Sequence, residues 1–482
     1  MQPAIRKFAL VFFASLLFHV AGTWTMPLID RDEPRFAEAS REMMQRGDYV
    51  IPYLNNRYRF DKPPLTYWAQ IASYRAFGET DFAARFPTTI AAAATALLLF
   101  AWGRRIAGER IGLWAALIFT ISFQVFLHGK AAVADMWLVL FVTVAHWAGY
   151  ELLRDRLGSE INLEPRKWWW IFYVALALAF LAKGPIGWTP LLTVAVAKFF
   201  LREVKLNSRF WFIPGLLLTV AIVALWGVPA LVRTQGEFFN VGIGKHVVAR
   251  SVVAMEGHGG STLWSYLAML PFYFALVFLS FAPWSIKLPW LAHKLWCKRD
   301  PLDNYLIAGA AVVFIVFTLV KTKLPHYTLP AFPLLALLLA KSLPALPTAD
   351  RFVRRTALIA LGIVLLAVCA SPVLAKLSPS LQLMRQARAD LAPEMEFGSV
   401  EYKEPSLIWY FRRHVSGWLT DLDNTTVQPF MEKPGGRFVV IPTSLATSLY
   451  PTLPAGWKSY TTRGVNSANG KWLDLTLILK HS

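Results

Sequence analysis

Phe8-Ala9-Leu10-Val11-Phe12-Phe13-Ala14-Ser15-Leu16-Leu17-Phe18 heads an apolar stretch over 8–28, and Asp30-Arg31-Asp32-Glu33-Pro34-Arg35 follows directly behind it. A helix that crosses the hydrocarbon core of a bilayer needs roughly 20 predominantly apolar residues, so the stretch predicts a membrane span. A secretory signal peptide is the competing reading. The stretch is long for one, and no small-x-small cleavage site stands behind it. The dense cluster of acids and bases that comes next predicts an active site at the outer membrane surface.

Outward from this stretch the pattern repeats. Over 482 residues the chain is 56% apolar, with 20 Trp and 34 Phe, and its mean hydropathy is +0.43. These values predict a polytopic α-helical membrane protein. Eleven stretches are apolar enough to be candidate spans: 8–28, 86–103, 111–129, 134–153, 168–182, 185–201, 210–231, 262–286, 304–320, 326–342 and 356–375.

The formal charge of +19 would suit a nucleic-acid binder, but its distribution excludes that class. Basic residues gather in every second connection, as in Arg6 and Lys7, Arg104 and Arg105, Arg154 and Arg156, Arg202 and Lys205, Lys294 and Lys298, and Arg354 and Arg355. This positive-inside alternation puts the N-terminus in the cytoplasm, and eleven spans then put the C-terminal segment outside, in the periplasm or beyond the cell. The loop 29–85 obeys the bias weakly, as long translocated loops do. Cys297 falls in a predicted cytoplasmic loop and Cys369 in the last span, so no disulfide is expected.

Two domains follow: a membrane domain over 1–375 with the outer loop 29–85, and a small soluble α/β domain over 376–482. In the latter, Arg437–Ile441 and Trp472–Leu479 read as strands and Ser406–Arg412 as a helix. Inside the outer loop, Pro34 suits a first helical turn and Gly47 a helix end, which predicts a helix from Pro34 to Arg46.

The outer connections carry the chemistry. Asp32 reads either as a helix N-cap or as a general base, with Asp30 as partner or alternative. Lys62, stiffened by Pro63 and Pro64, makes a good point charge for a phosphate, and Lys321, Lys323, Arg250 and Arg35 extend that idea. Asp61, His246 and His258 offer donors for a divalent metal, although their spacing matches no standard zinc site. Asp135 and Lys130 mark the boundary between the third and fourth spans.

Asp32-Glu33-Pro34-Arg35-Phe36-Ala37-Glu38, then Ser40-Arg41-Glu42-Met43, Gly47-Asp48 and Phe60-Asp61-Lys62-Pro63-Pro64 resemble the first outer loop of the aminoarabinose transferases. These belong to the protein O-mannosyltransferase superfamily of membrane glycosyltransferases with the GT-C architecture. Lys321-x-Lys323-Leu324-Pro325-x-Tyr327 resembles a later motif of that family, and His246 to Arg250 is similar to its His/Arg outer-loop stretch. The resemblance implies transfer, with inversion, of a sugar from a polyprenyl-phosphate donor to a lipid A, glycan or protein acceptor on the outer face of the inner membrane. It implies that Asp32 is the catalytic carboxylate and that Lys62, Arg250 and Tyr327 hold the donor phosphate. It also implies that the position of Asp61, a glutamate in the family, can take part in metal binding. Arg59 departs from the tyrosine usual there. Membrane lipids and the two substrates are the expected partners, and no cofactor beyond an optional divalent metal is called for. A transporter or flippase of a lipid-linked sugar is the alternative; it predicts internal symmetry, and the sequence shows no repeat.

Overall fold

The computed structural model describes residues 3–156, 165–242, 244 and 262–481. Seven helices among them are long and apolar enough to cross a membrane: Asp81–Ala107, Asp135–Leu153, Phe212–Arg233, Leu263–Ser280, Pro301–Leu319, Pro325–Ala345 and Ala349–Lys376. The chain is a multi-pass membrane protein, and the count of eleven spans is not reproduced. The stretch 8–28 is helical only as Pro3–Val20, giving way just before Gly22 at φ +82°. Ser122, in extended backbone, divides the stretch 111–129 into Glu109–Ile121 and Phe123–His128. Gly184 at φ +80° and Pro185 stop Pro165–Lys183 and start a 3-10 turn, so 185–201 keeps only a short helix, Thr189–Ala197.

Burial separates packed spans from lipid-facing ones. Of the apolar part of Pro325–Ala345, 78% is buried, against 17% for Ala349–Lys376, whose Leu366 and Leu358 stand exposed. In a membrane such a surface meets lipid and needs no partner. Close approach uses small residues: a Cβ on Gly103 would lie 2.8 Å from the Cα of Gly112, so Asp81–Ala107 and Glu109–Ile121 touch backbone to backbone there.

The chain divides into two compact units, one of residues 1–20, 60–66 and 86–364, the other of residues 21–59, 67–85 and 365–482. The division does not follow the sequence boundary at 375, because most of the first outer loop groups with the C-terminal segment. In the second unit, helix Asp32–Arg46 ends at Gly47 with φ +65°, two residues ahead of the predicted start at its other end. A small hairpin of β1 (Tyr53–Leu54) and β2 (Arg57–Tyr58) follows. The C-terminal sheet has β3 (Glu396–Ser399), β4 (Leu419–Asp421), β5 (Arg437–Pro442), β6 (Lys458–Val465) and β7 (Trp472–Lys480) in the order β4-β3-β5-β7-β6. β3 runs parallel to β4 and β5, and the rest is antiparallel. The helix read over Ser406–Arg412 is Pro405–Phe411, wholly buried.

Candidate functional site

In the membrane unit a polar cluster forms where three elements end. Asp135 opens Asp135–Leu153, Lys183 closes Pro165–Lys183, and His326 stands in the 3-10 turn Pro325–Ala331. The Lys183 Nζ lies 2.5 Å from the Asp135 Oδ1, and the His326 Nε2 is 3.8 Å from the same oxygen. The His128 and His326 rings are 4.9 Å apart, and the His128 Nδ1 is 3.0 Å from the Gln124 amide nitrogen. Tyr327 joins this group, its ring edge-on to His326 and 5.5 Å from the Lys183 ammonium. Lys62, half-buried in the bend before helix Leu65–Phe77, is near enough for its charge to act on His326.

His128, Asp135 and His326 offer three ligand atoms within 4.8 Å of one another. The donor set would suit a transition metal, but the ammonium of Lys183 already neutralises the one carboxylate, with Lys62 close by. A dication there would face two cations, an arrangement Coulomb's law penalises. The cluster is better suited to holding an anion beside a fixed carboxylate.

The remaining predicted ligands fall unevenly. Lys321 is half-buried with no hydrogen bond or ion pair among the described residues. Lys323 departs from the expectation: it is buried, and its ammonium donates to the carbonyls of Phe317 (3.0 Å), Thr318 (2.5 Å) and Val320 (2.6 Å). Those are orphan acceptors at the end of Pro301–Leu319, so Lys323 caps a helix. Asp61 is half-buried. His246, His258 and Arg250 lie outside the described residues.

In the other unit, three carboxylates within four residues have three different fates. Glu33 forms a buried two-point pair with Arg85 (2.8 and 2.6 Å), and its Oε2 also accepts the Ile29 N–H at 2.8 Å. Arg85 donates further to the carbonyls of Thr23, at 3.3 Å, and Pro27, at 2.7 Å. Asp30 accepts from the Ser406 N–H (3.0 Å) and hydroxyl (2.6 Å). Burial pushes its carboxyl up to about 7, against the lowering effect of the Ser406 hydroxyl. Both its oxygens are thus engaged by the start of Pro405–Phe411. Asp32 is the first helical residue and makes no cap, so the N-cap reading fails. Its side chain is 67% exposed, with Arg35 at 3.9 Å as its nearest ion partner.

Sequence reasoning missed His128, His326, Glu33 and Arg85 as members of these clusters. Asp135 at a span end was the available signal, but its partners lie 48 and 191 residues further on, at Lys183 and His326.

A model for dolichyl-phosphate-mannose-protein mannosyltransferases matches residues 61–227. The undecaprenyl phosphate-alpha-4-amino-4-deoxy-L-arabinose arabinosyl transferase of Edwardsiella ictaluri is 29% identical over 70% of this chain and 60% of its own length. That of Pectobacterium atrosepticum is 30% identical over 68% of this chain and 57% of its own. The chain thus spans somewhat less than two thirds of the curated relatives it matches. Among solved structures, ArnT from Cupriavidus metallidurans bound to undecaprenyl phosphate superposes with a TM-score of 0.74 at 20% identity, covering 98% of both chains. That likeness establishes the fold.

Proposed function

We propose that the chain belongs to the protein O-mannosyltransferase superfamily with the GT-C architecture and is a glycosyltransferase moving a sugar from a polyprenyl-phosphate donor to a lipid or glycan acceptor. Protein remains a third acceptor class within the same chemistry. The proposal places the reaction on the outer face of the inner membrane, with the N-terminus cytoplasmic and the C-terminal domain outside. The observation that carries it is the freedom of Asp32: of the three clustered carboxylates it alone is left exposed while Asp30 and Glu33 are bound.

Asp32 takes the proton of the acceptor hydroxyl or amine as the acceptor atom attacks the anomeric carbon. The bond to the phosphate oxygen breaks on the opposite side, so the anomeric centre inverts and polyprenyl phosphate leaves as the anion. General-base assistance of this kind contributes roughly 10²–10⁴-fold. Cations stabilise charge that develops on the leaving phosphate, and Lys62, Lys321 and Arg250 are assigned to it with the Tyr327 hydroxyl. Lys183 is held by Asp135, with its ammonium over the Tyr327 ring at 5.5 Å from the centroid. The position the resemblance implies for a metal is Asp61, which is half-buried.

The test is mass spectrometry of envelope glycolipids and glycoproteins from a deletion strain complemented with wild type, Asp32→Asn or Lys62→Ala, each confirmed in the membrane. Wild type restores a sugar-mass increment, and the variants do not. Full restoration by Asp32→Asn removes the base assignment. A lipid-linked sugar that changes sides of the membrane with no increment in any strain makes the protein a flippase.

A further inference from the structure

The segment ahead of Asp32 has no regular secondary structure, so no backbone ladder holds it. Side chains do so instead. Three successive backbone N–H groups each meet a side-chain oxygen: Leu28 donates to the Tyr410 hydroxyl (3.0 Å), Ile29 to Glu33 (2.8 Å) and Asp30 to the Ser467 hydroxyl (3.0 Å). The fourth residue is held by its side chain, since the Arg31 Nε donates to Glu404 at 3.1 Å. Glu404 is itself fixed by Asn466, whose amide donates to its other oxygen at 2.9 Å, and Tyr410 by donating to Asp81 at 2.9 Å. Apart from Glu33 and Asp81, every one of these partners comes from the C-terminal domain. They sit on or beside helix Pro405–Phe411 and in the turn between β6 and β7.

We propose that the C-terminal domain is part of the catalytic apparatus, and that Tyr410, Glu404 and Ser467 are positioning residues that set where Asp32 presents its carboxylate. The proposal deepens the function given above and rests on Asp32 as base. A general base works only from a narrow range of positions, and a displacement of about 1 Å can cost about 10²-fold in rate. The carboxylate is exposed, so its own contacts do not place it. The backbone behind it must.

The experiment uses the full chain in lipid nanodiscs, with Cys297 and Cys369 replaced by serine and a nitroxide spin label on Asp32→Cys. Ser467→Ala and Tyr410→Phe, singly and together, are expected to convert a slow-motion spectrum into a mobile one. Ser467→Thr, which keeps the hydroxyl at an exposed position, is expected to preserve the slow spectrum. In the complemented strain, with Asp32 intact, the double variant is expected to reduce the sugar-mass increment ten- to a hundredfold, and Ser467→Thr to retain it. An unchanged spectrum overturns the proposal, as does an increment within twofold of wild type. If Tyr410→Phe does not reach the membrane, Ser467→Ala alone decides, because that side chain lies at the surface. Should Asp32→Asn be fully active while the label still becomes mobile, the clamp is real but not catalytic, and the failure lies in the base assignment.

Discussion

Glu33 and Arg85 grip each other at two points, 2.8 and 2.6 Å, with both side chains buried. One residue away, Asp32 is exposed. Breaking a buried pair leaves an uncompensated charge and costs roughly 3–5 kcal/mol. Glu33→Gln is therefore expected to lower the thermal unfolding midpoint of the detergent-solubilised protein sharply. Asp32→Asn should leave stability within about 0.5 kcal/mol while abolishing transfer. Equal effects of the two substitutions on unfolding would contradict this division of labour.

Asp135 and Lys183 act as one unit at 2.5 Å. Asp135→Asn and Lys183→Met are each expected to reduce activity at least about tenfold, and the double variant to be no worse than the poorer single one. Contacting charged residues in this situation show coupling energies of about 0.5–3 kcal/mol in a double-mutant cycle. Additive losses would mean that the two side chains serve separate steps.

Lys321 and Lys323 are two residues apart and should separate cleanly. Lys323 caps the end of Pro301–Leu319 with three carbonyl contacts, so Lys323→Met should cost about 1–3 kcal/mol of stability, with donor KM within twofold in the enzyme that folds. Lys321→Met should leave the unfolding midpoint in place and raise donor KM. The comparison needs only initial rates over a donor series and a melting curve for each variant.

Glu42 gives a pH signature. Burial, and then the neighbouring Glu38, push its carboxyl up to about 7, opposed by the N–H groups of Asn56 and Asn55 and by Arg412. A raised folded-state value means that the folded protein binds this proton more tightly than the unfolded chain does. Its contribution to stability is therefore full below the unfolded value, near 4.5, and is lost as pH rises through about 7. Melting midpoints measured from pH 5 to 8 are expected to fall, and Glu42→Gln is expected to flatten the part of that slope Glu42 contributes. A slope unchanged by Glu42→Gln would assign the titration to another group, of which Asp30 is the first candidate, being raised to about 7 as well.

The sequence by itself determined the membrane character, the helix after the first span and the C-terminal strands, because each depends on near neighbours. A span requires an unbroken apolar run, the loop helix ends at Gly47 for want of a Cβ at φ +65°, and β5 and β7 are short, mostly apolar runs. The number of spans was less legible, since Ser122 breaks the run 111–129, which composition alone reads as continuous. The surroundings of Asp30, Asp32 and Glu33 were not legible. Three carboxylates so close together share one composition and one hydropathy. What separates them is a guanidinium 52 residues away, at Arg85, and a serine 376 residues away, at Ser406. Only the folded chain brings such partners within hydrogen-bond distance, and it does so for Asp30 and Glu33 while leaving Asp32 exposed.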